Sequence, residues 1–269
     1  MTRFRRAALV AVLGILVLAG PAIAHVRGPS RTESTGARRS ATNAPAAGAF
    51  EIGVPACGRL LPAALPTTLT SSVRVDVTVL VDGSLPIDPR RVLSTVAQSY
   101  RPLGITLNPT YRTVSFRGAS AQGLLQQARS LLGGRRPAGT DVVLVLTGKD
   151  IEAGANRGVA GLADCIGGVA FADRAFAVSE VFAPDAERFA VGPLTLSANM
   201  SAKVAAHEIG HLLGAEHHFA NCVEGIVSEL TQLELSPCTL MFNSVDTASL
   251  NFSTVNGQIV RGQAEAYAR

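Results

Sequence analysis

Residues 141–147 read Asp-Val-Val-Leu-Val-Leu-Thr. An unbroken, β-branched apolar run of this length is the pattern of a strand buried on both faces. The residues before it supply its neighbours. Val73 to Leu80 alternates apolar and polar side chains and predicts a half-buried strand, ended by a turn at Asp82-Gly83. Asp88-Pro89 predicts an N-cap with Pro at the first helical position. Val92, Leu93, Val96 and Ala97 then fall at helical spacing, giving a helix over about 89–102. Ile105 to Phe116 reads as a second strand, and Ala119 to Leu132, closed by Gly133-Gly134, as a second helix. Strand, helix, strand, helix, strand predicts an α/β sheet with at least part of its order parallel. Downstream, Phe176 to Phe182 is a further strand candidate. The five glycines of residues 153–172 are read as turns and bulges, because neither a Gly-Lys-Ser/Thr nor a dinucleotide fingerprint accompanies them.

The whole chain holds 269 residues, of which 47% are hydrophobic, enough for one large domain or two small ones. The net charge of +4 is not spread over it. Residues 1–45 carry seven Arg against one acid, Glu33, whereas the remainder has 17 basic and 19 acidic residues. The domain-wide basicity of a nucleic-acid binder is therefore missing from the part that folds, and no nucleic-acid partner is expected. Arg3, Arg5 and Arg6 precede an apolar run from Ala7 to Gly20 and the small-residue triplet Ala22-Ile23-Ala24. This is the pattern of a secretory signal over residues 1–24, cleaved near Ala24, and its apolar part falls short of the ~20 residues a membrane span needs. Export to the extracellular space, with no stable membrane span after cleavage, is the expectation. Residues 25–69 then form a flexible linker or short pro-segment, rich at its start in Ala, Arg, Ser, Gly and Pro, and residues 70–269 the folded domain. Four cysteines suit an oxidising compartment and allow three pairings. The short separation of Cys222 and Cys238 favours a local staple and leaves Cys57 with Cys165. The competing reading makes Cys57 a free thiol that masks a metal in a latent form.

The chemistry is concentrated in His207 to His218, HEIGHLLGAEHH, which holds four of the five histidines. Ser201 to Leu213 has helical composition, and residues four apart on a helix lie on one face, ~6 Å apart along the axis. His207 and His211 can thus direct two imidazoles at one ion. Gly214 sits where a chain leaving the helix needs a left-handed residue, and the turn it permits returns His217 to the same ion. Three neutral imidazoles plus an open position for water is a catalytic Zn2+ arrangement, since structural sites usually complete four protein ligands with Cys. Glu208, beside the first ligand, is placed to act as general base on that water.

The string His207, Glu208, His211, Gly214 and His217 resembles the HExxHxxGxxH motif of the metzincin zinc endopeptidases at every fixed position. Their methionine turn is matched by Met241 in Pro237-Cys238-Thr239-Leu240-Met241-Phe242. In the family this Met packs beneath the metal and does not ligate it. Within metzincins the reprolysin (adamalysin) type is most similar, through Asp141 to Asp150, Gly158 to Cys165, and Asn251-Phe252-Ser253 before a final helix. The resemblance implies a zincin fold of mixed α/β (α+β) class: a twisted mixed sheet with two backing helices, an active-site helix, and an irregular C-terminal subdomain ending in a helix. It also implies a protein or peptide substrate, extended along an edge strand near Gly158 to Ala163. Two positions depart from the pattern. His218 stands where reprolysins have Asp and is read as a residue behind the ligands or in solvent, not a fourth ligand. Asn243 stands where some metzincins carry a Tyr that swings onto zinc. The competing function is a secreted zinc-containing binding module built on a protease frame, against which the intact Glu208 argues.

Overall fold

The computed structural model describes residues 55–57, 71–83, 85–153, 156–157, 159–184, 188–191, 194–197, 199–217, 239–241 and 250–268, all within one compact unit, Gly48–Arg269. The signal, all of the linker except 55–57, His218, Asn243, Cys222 and Cys238 lie outside the described residues.

Five strands form the main sheet: β1 (Val73–Asp82), β2 (Ile105–Val114), β3 (Val142–Thr147), β6 (Gly161–Ala163) and β7 (Phe176–Glu180). Their order is β2-β1-β3-β7-β6, with the first four parallel and β6 antiparallel to β7. Between β3 and β6 lies the short ribbon β4 (Glu152–Ala153) and β5 (Asn156–Arg157). After β7 a second ribbon, β8 (Arg188–Val191) and β9 (Leu194–Ser197), leads to α3 (Met200–Leu212).

Parallel pairing requires crossovers, and the predicted helices supply them. Helix α1 (Pro89–Tyr100) starts as expected, with the Asp88 side chain accepting from Arg90 N–H at 2.9 Å. It stops two residues short of the expectation: a single 3-10 turn follows, with Pro102 at its start and Gly104 leaving it at φ 64°. Helix α2 (Ala121–Leu131) is capped by Ser120. The two helices back opposite faces of the sheet, because successive strand residues point to alternate faces. Val75, Val77, Val79, Leu144 and Leu146 pack with α1 and α3, while Leu80, Val143, Val145, Phe176 and Val178 pack with α2. The apolar run of β3 is buried at all six of its residues, as expected of a central strand.

One expectation is corrected. β1 is deeper than half-buried, because it lies between β2 and β3. Its buried polar residue Asp76 accepts from Arg74 and Asn108, and partly exposed Thr78 hydrogen-bonds Thr140. At the start of the described chain, Cys57 is disulfide-bonded to Cys165 with Cα atoms 5.4 Å apart, which removes the free-thiol reading of Cys57. Cys57 N–H also donates to Ile166 C=O at 3.1 Å. The chain ends in α4 (Thr254–Tyr267), capped by Ser253. Among the described residues no helix is long and apolar enough to cross a membrane.

Candidate metal centre and active site

Helix α3 carries the metal-binding sequence and is buried on nearly every side, with Ala202, Val204, Ala205, Ala206, Ile209 and Leu212 all in the core. The Tyr100 hydroxyl donates to Ala206 C=O at 2.7 Å, which ties α1 to the helix one residue before the first histidine. At the other end Gly214 adopts φ +90°. Gly214 N–H donates to His211 C=O and Ala215 N–H to Gly210 C=O, both at 2.9 Å, the paired bonds of a Schellman stop. The chain therefore turns back, and His217 returns to the face that holds His207 and His211.

The three Nε2 atoms converge. His207 and His217 are 2.9 Å apart, and His211 is 3.0 Å from each. The other ring nitrogens show what these contacts are. Nδ1 of His207 faces Leu240 C=O and Nδ1 of His211 faces Ala215 C=O, each at 2.8 Å. A carbonyl only accepts, so both Nδ1 atoms carry the proton and both Nε2 atoms present bare lone pairs to each other. Lone pairs held this close call for a cation between them, and neutral imidazole nitrogens suit zinc bound at ~2.1 Å. Burial, then the two neighbouring histidines, holds the His211 imidazole well below its usual range, so it stays neutral and available as a ligand. His207, His211 and His217 are the one group of three or more such side chains among the described residues arranged to hold a metal ion.

Glu208 is buried against β6, its Oε1 2.6 Å from where a Cβ at Gly161 would stand. Burial pushes its carboxyl up to about 8, against the opposing effect of a hydrogen bond from Ala163 N–H. Its Oε2 is buried without a hydrogen-bond partner. A buried carboxylate oxygen left unpaired is costly unless something else fills the role.

Met241 is fully buried. Its Sδ lies 2.9 Å from where a Cβ at Gly210 would stand, so it packs beneath the helix between the two ligands on α3. The preceding residue, Leu240, supplies the carbonyl that orients His207. Sequence reasoning thus brought together His207, Glu208, His211, Gly214, His217 and Met241, and missed four contributors. Gly161 is one: a Cβ there would lie 2.6 Å from Glu208 Oε1. Gly210 is another, where a side chain would strike Met241 and Phe252. Tyr100 and Asn256 are the others. The HExxH spacing marks none of them, although the glycines of the GVAGLADC and HEIGH strings were the available signal.

Residues 99–218 match the model of the metallo-peptidase family M12B, reprolysin-like. The matched segment ends one residue beyond the third ligand. Over that segment, just under half of its length, the chain is similar to the zinc metallopeptidases of metzincin type. Its fold is that of the archaemetzincin from Methanopyrus kandleri, to which it is 19% identical with a TM-score of 0.50, covering 71% of this chain and 96% of that one. Lower similarity extends to metalloproteinase-II from Bacteroides fragilis (21% identity, TM-score 0.44, 71% of this chain and 53% of that one). The archaemetzincin from Archaeoglobus fulgidus gives 19% identity and a TM-score of 0.41, over 69% of this chain and 99% of that one. No curated protein matches the chain by sequence. One zinc ion, held by His207, His211 and His217, is its cofactor.

Proposed function

We propose that this protein is an exported zinc endopeptidase that cleaves within extended peptide chains, with Glu208 as its general base. The observation that carries this reading is the buried, unpartnered Oε2 of Glu208 on the helix that carries two of the three imidazoles whose Nε2 atoms converge. When bound, zinc supplies a Lewis acid that polarises the scissile carbonyl and lowers the pKa of water toward ~7. Glu208 takes a proton from the water that attacks the carbonyl carbon. As the C–N bond breaks, the carboxyl delivers that proton to the departing amine nitrogen. Ala163 N–H holds the carboxylate in place, and burial under Gly161 keeps bulk water from it.

Substrate is read as lying along β6. Among the described residues this strand ends the sheet order, and its outer edge offers backbone groups for a peptide to pair with. The expectation of a signal over residues 1–24 supports export, as does the Cys57–Cys165 disulfide, which needs an oxidising compartment. The test is cleavage of an unbiased peptide library by the purified protein and by Glu208→Gln, with zinc measured in both. Glu208→Gln is expected to keep its zinc and to lose at least ~1000-fold in kcat/KM, the scale of a lost general acid–base. Proteolysis retained in that variant would remove Glu208 from the reaction, and bound zinc without cleavage in either protein would leave a binding module on a protease frame.

A further inference from the structure

Two of the three ligands are fixed by the helix that carries them, but His217 stands on the chain that leaves it. The Schellman bonds account for that chain as far as Ala215. The next peptide is held from elsewhere: Glu216 N–H donates to Asn256 Oδ1 at 3.1 Å, and Asn256 Nδ2 donates to Glu216 C=O at 2.9 Å. One carboxamide therefore clasps both backbone groups of the residue before the third ligand. Only a primary amide offers an acceptor and a donor side by side, which makes Asn the residue for this contact. Asn256 is itself buried in the first turn of α4, where its N–H donates to Ser253 Oγ at 3.2 Å. The same helix closes on the turn at Gly214, where a Cβ would lie 2.9 Å from Gln263 Cγ.

We propose that Asn256 is a positioning residue for the zinc site, holding the Glu216 peptide so that His217 Nε2 stays within reach of the ion. The inference rests on the three-histidine zinc reading and lies outside the 99–218 segment that the family shares. Without the clasp, His217 must be ordered at the moment of binding, and that cost is subtracted from the affinity. Groups that orient a ligand typically account for 10–100-fold in metal affinity.

The test uses the full chain stripped of metal. Zinc affinity is measured by competition with a chromophoric chelator, the Co2+ form by its visible absorption, and the stability of the metal-free protein by thermal melting. Asn256→Ala removes the clasp, Asn256→Leu removes it while keeping the volume, and Arg261→Met loosens α4 at a place with no bond to the turn. Both Asn256 variants are expected to lose about 10–100-fold in zinc affinity and to show an altered Co2+ spectrum. Arg261→Met is expected to melt at lower temperature and to keep the wild-type affinity. Wild-type affinity and spectrum in both Asn256 variants would overturn the proposal, as would an equal loss of affinity in Arg261→Met. A wild-type protein that binds no zinc would instead refute the metal site itself, a result distinct from either.

Discussion

Gly161 shows how little room the Glu208 carboxylate has. A Cβ at this position would lie 2.6 Å from Glu208 Oε1, 2.8 Å from Glu208 Cγ and 2.8 Å from Val204 Cγ1. Contacts that short force a shift, and the mobile partner is the Glu208 side chain. Gly161→Ala is therefore expected to lower kcat/KM by about 100-fold, the scale of a 1 Å displacement of a catalytic group, with zinc content unchanged. Steady-state kinetics with metal analysis checks both halves. A second residue-scale prediction concerns Glu180, at the end of β7. Burial, aided by Asp150 and opposed by the bond from Ile151 N–H, raises its carboxyl from 4.5 to about 7. The folded protein then holds a proton that the unfolded chain releases, so stability falls as pH rises from about 4.5 to 7 and is level above that. Glu180→Gln should flatten this slope and stabilise the protein at pH 8 by about 1 kcal/mol, after allowance for solvent screening at a half-exposed site. Urea titrations of both proteins at pH 5 and pH 8 measure the difference.

Helix α4 joins distant parts of the chain through one buried side chain. Arg261 Nη1 donates to Leu103 C=O at 3.0 Å and Gly104 C=O at 2.9 Å, while Nη2 donates to Ser71 C=O at 2.7 Å and pairs with Glu265. Arg261→Met leaves three carbonyls without this donor and is expected to cost about 3 kcal/mol, measured as a lower urea midpoint at unchanged slope. The contrast between this helix and α1 explains what was legible in the sequence. The bounds of α1 follow from local chemistry, since Asp88 caps it and Pro102 opens the 3-10 turn that follows. The strand periods and the His207 to His217 spacing are equally local and gave both the sheet and the ligand set. Nothing in residues 254–267 says that Asn256 meets Glu216 or that Arg261 meets Ser71, because those partners are set by tertiary docking. The depth of β1 was hidden for the same reason: its alternation describes side chains, but its burial depends on the strands placed on either side.

Across the molecule, the sheet acts as a frame with helices on both faces and β6 at one end of its order. Residues on one face of β1 and β3 seat α1 and α3, and the other face is sealed by α2, so the zinc helix is fixed against the most buried part of the core. The edge is β6, which lies over Glu208 and leads directly into Cys165, where the disulfide to Cys57 ties the N-terminal side of the chain to the region beside the site. Gly167 N–H then donates to His211 C=O at 2.8 Å, so the same stretch also holds the last turn of α3. Frame, edge and helix meet at three imidazoles and one carboxylate, the proposed site of a one-zinc peptidase. Stepwise return of zinc to the chelator-stripped full-length protein, with cleavage of an internally quenched peptide followed at each addition, tests it most directly. The predicted result is no cleavage in the stripped protein and a linear recovery that ends at one equivalent of zinc per chain. Cleavage that survives complete removal of the metal, or that does not return when zinc occupies the site, would contradict it.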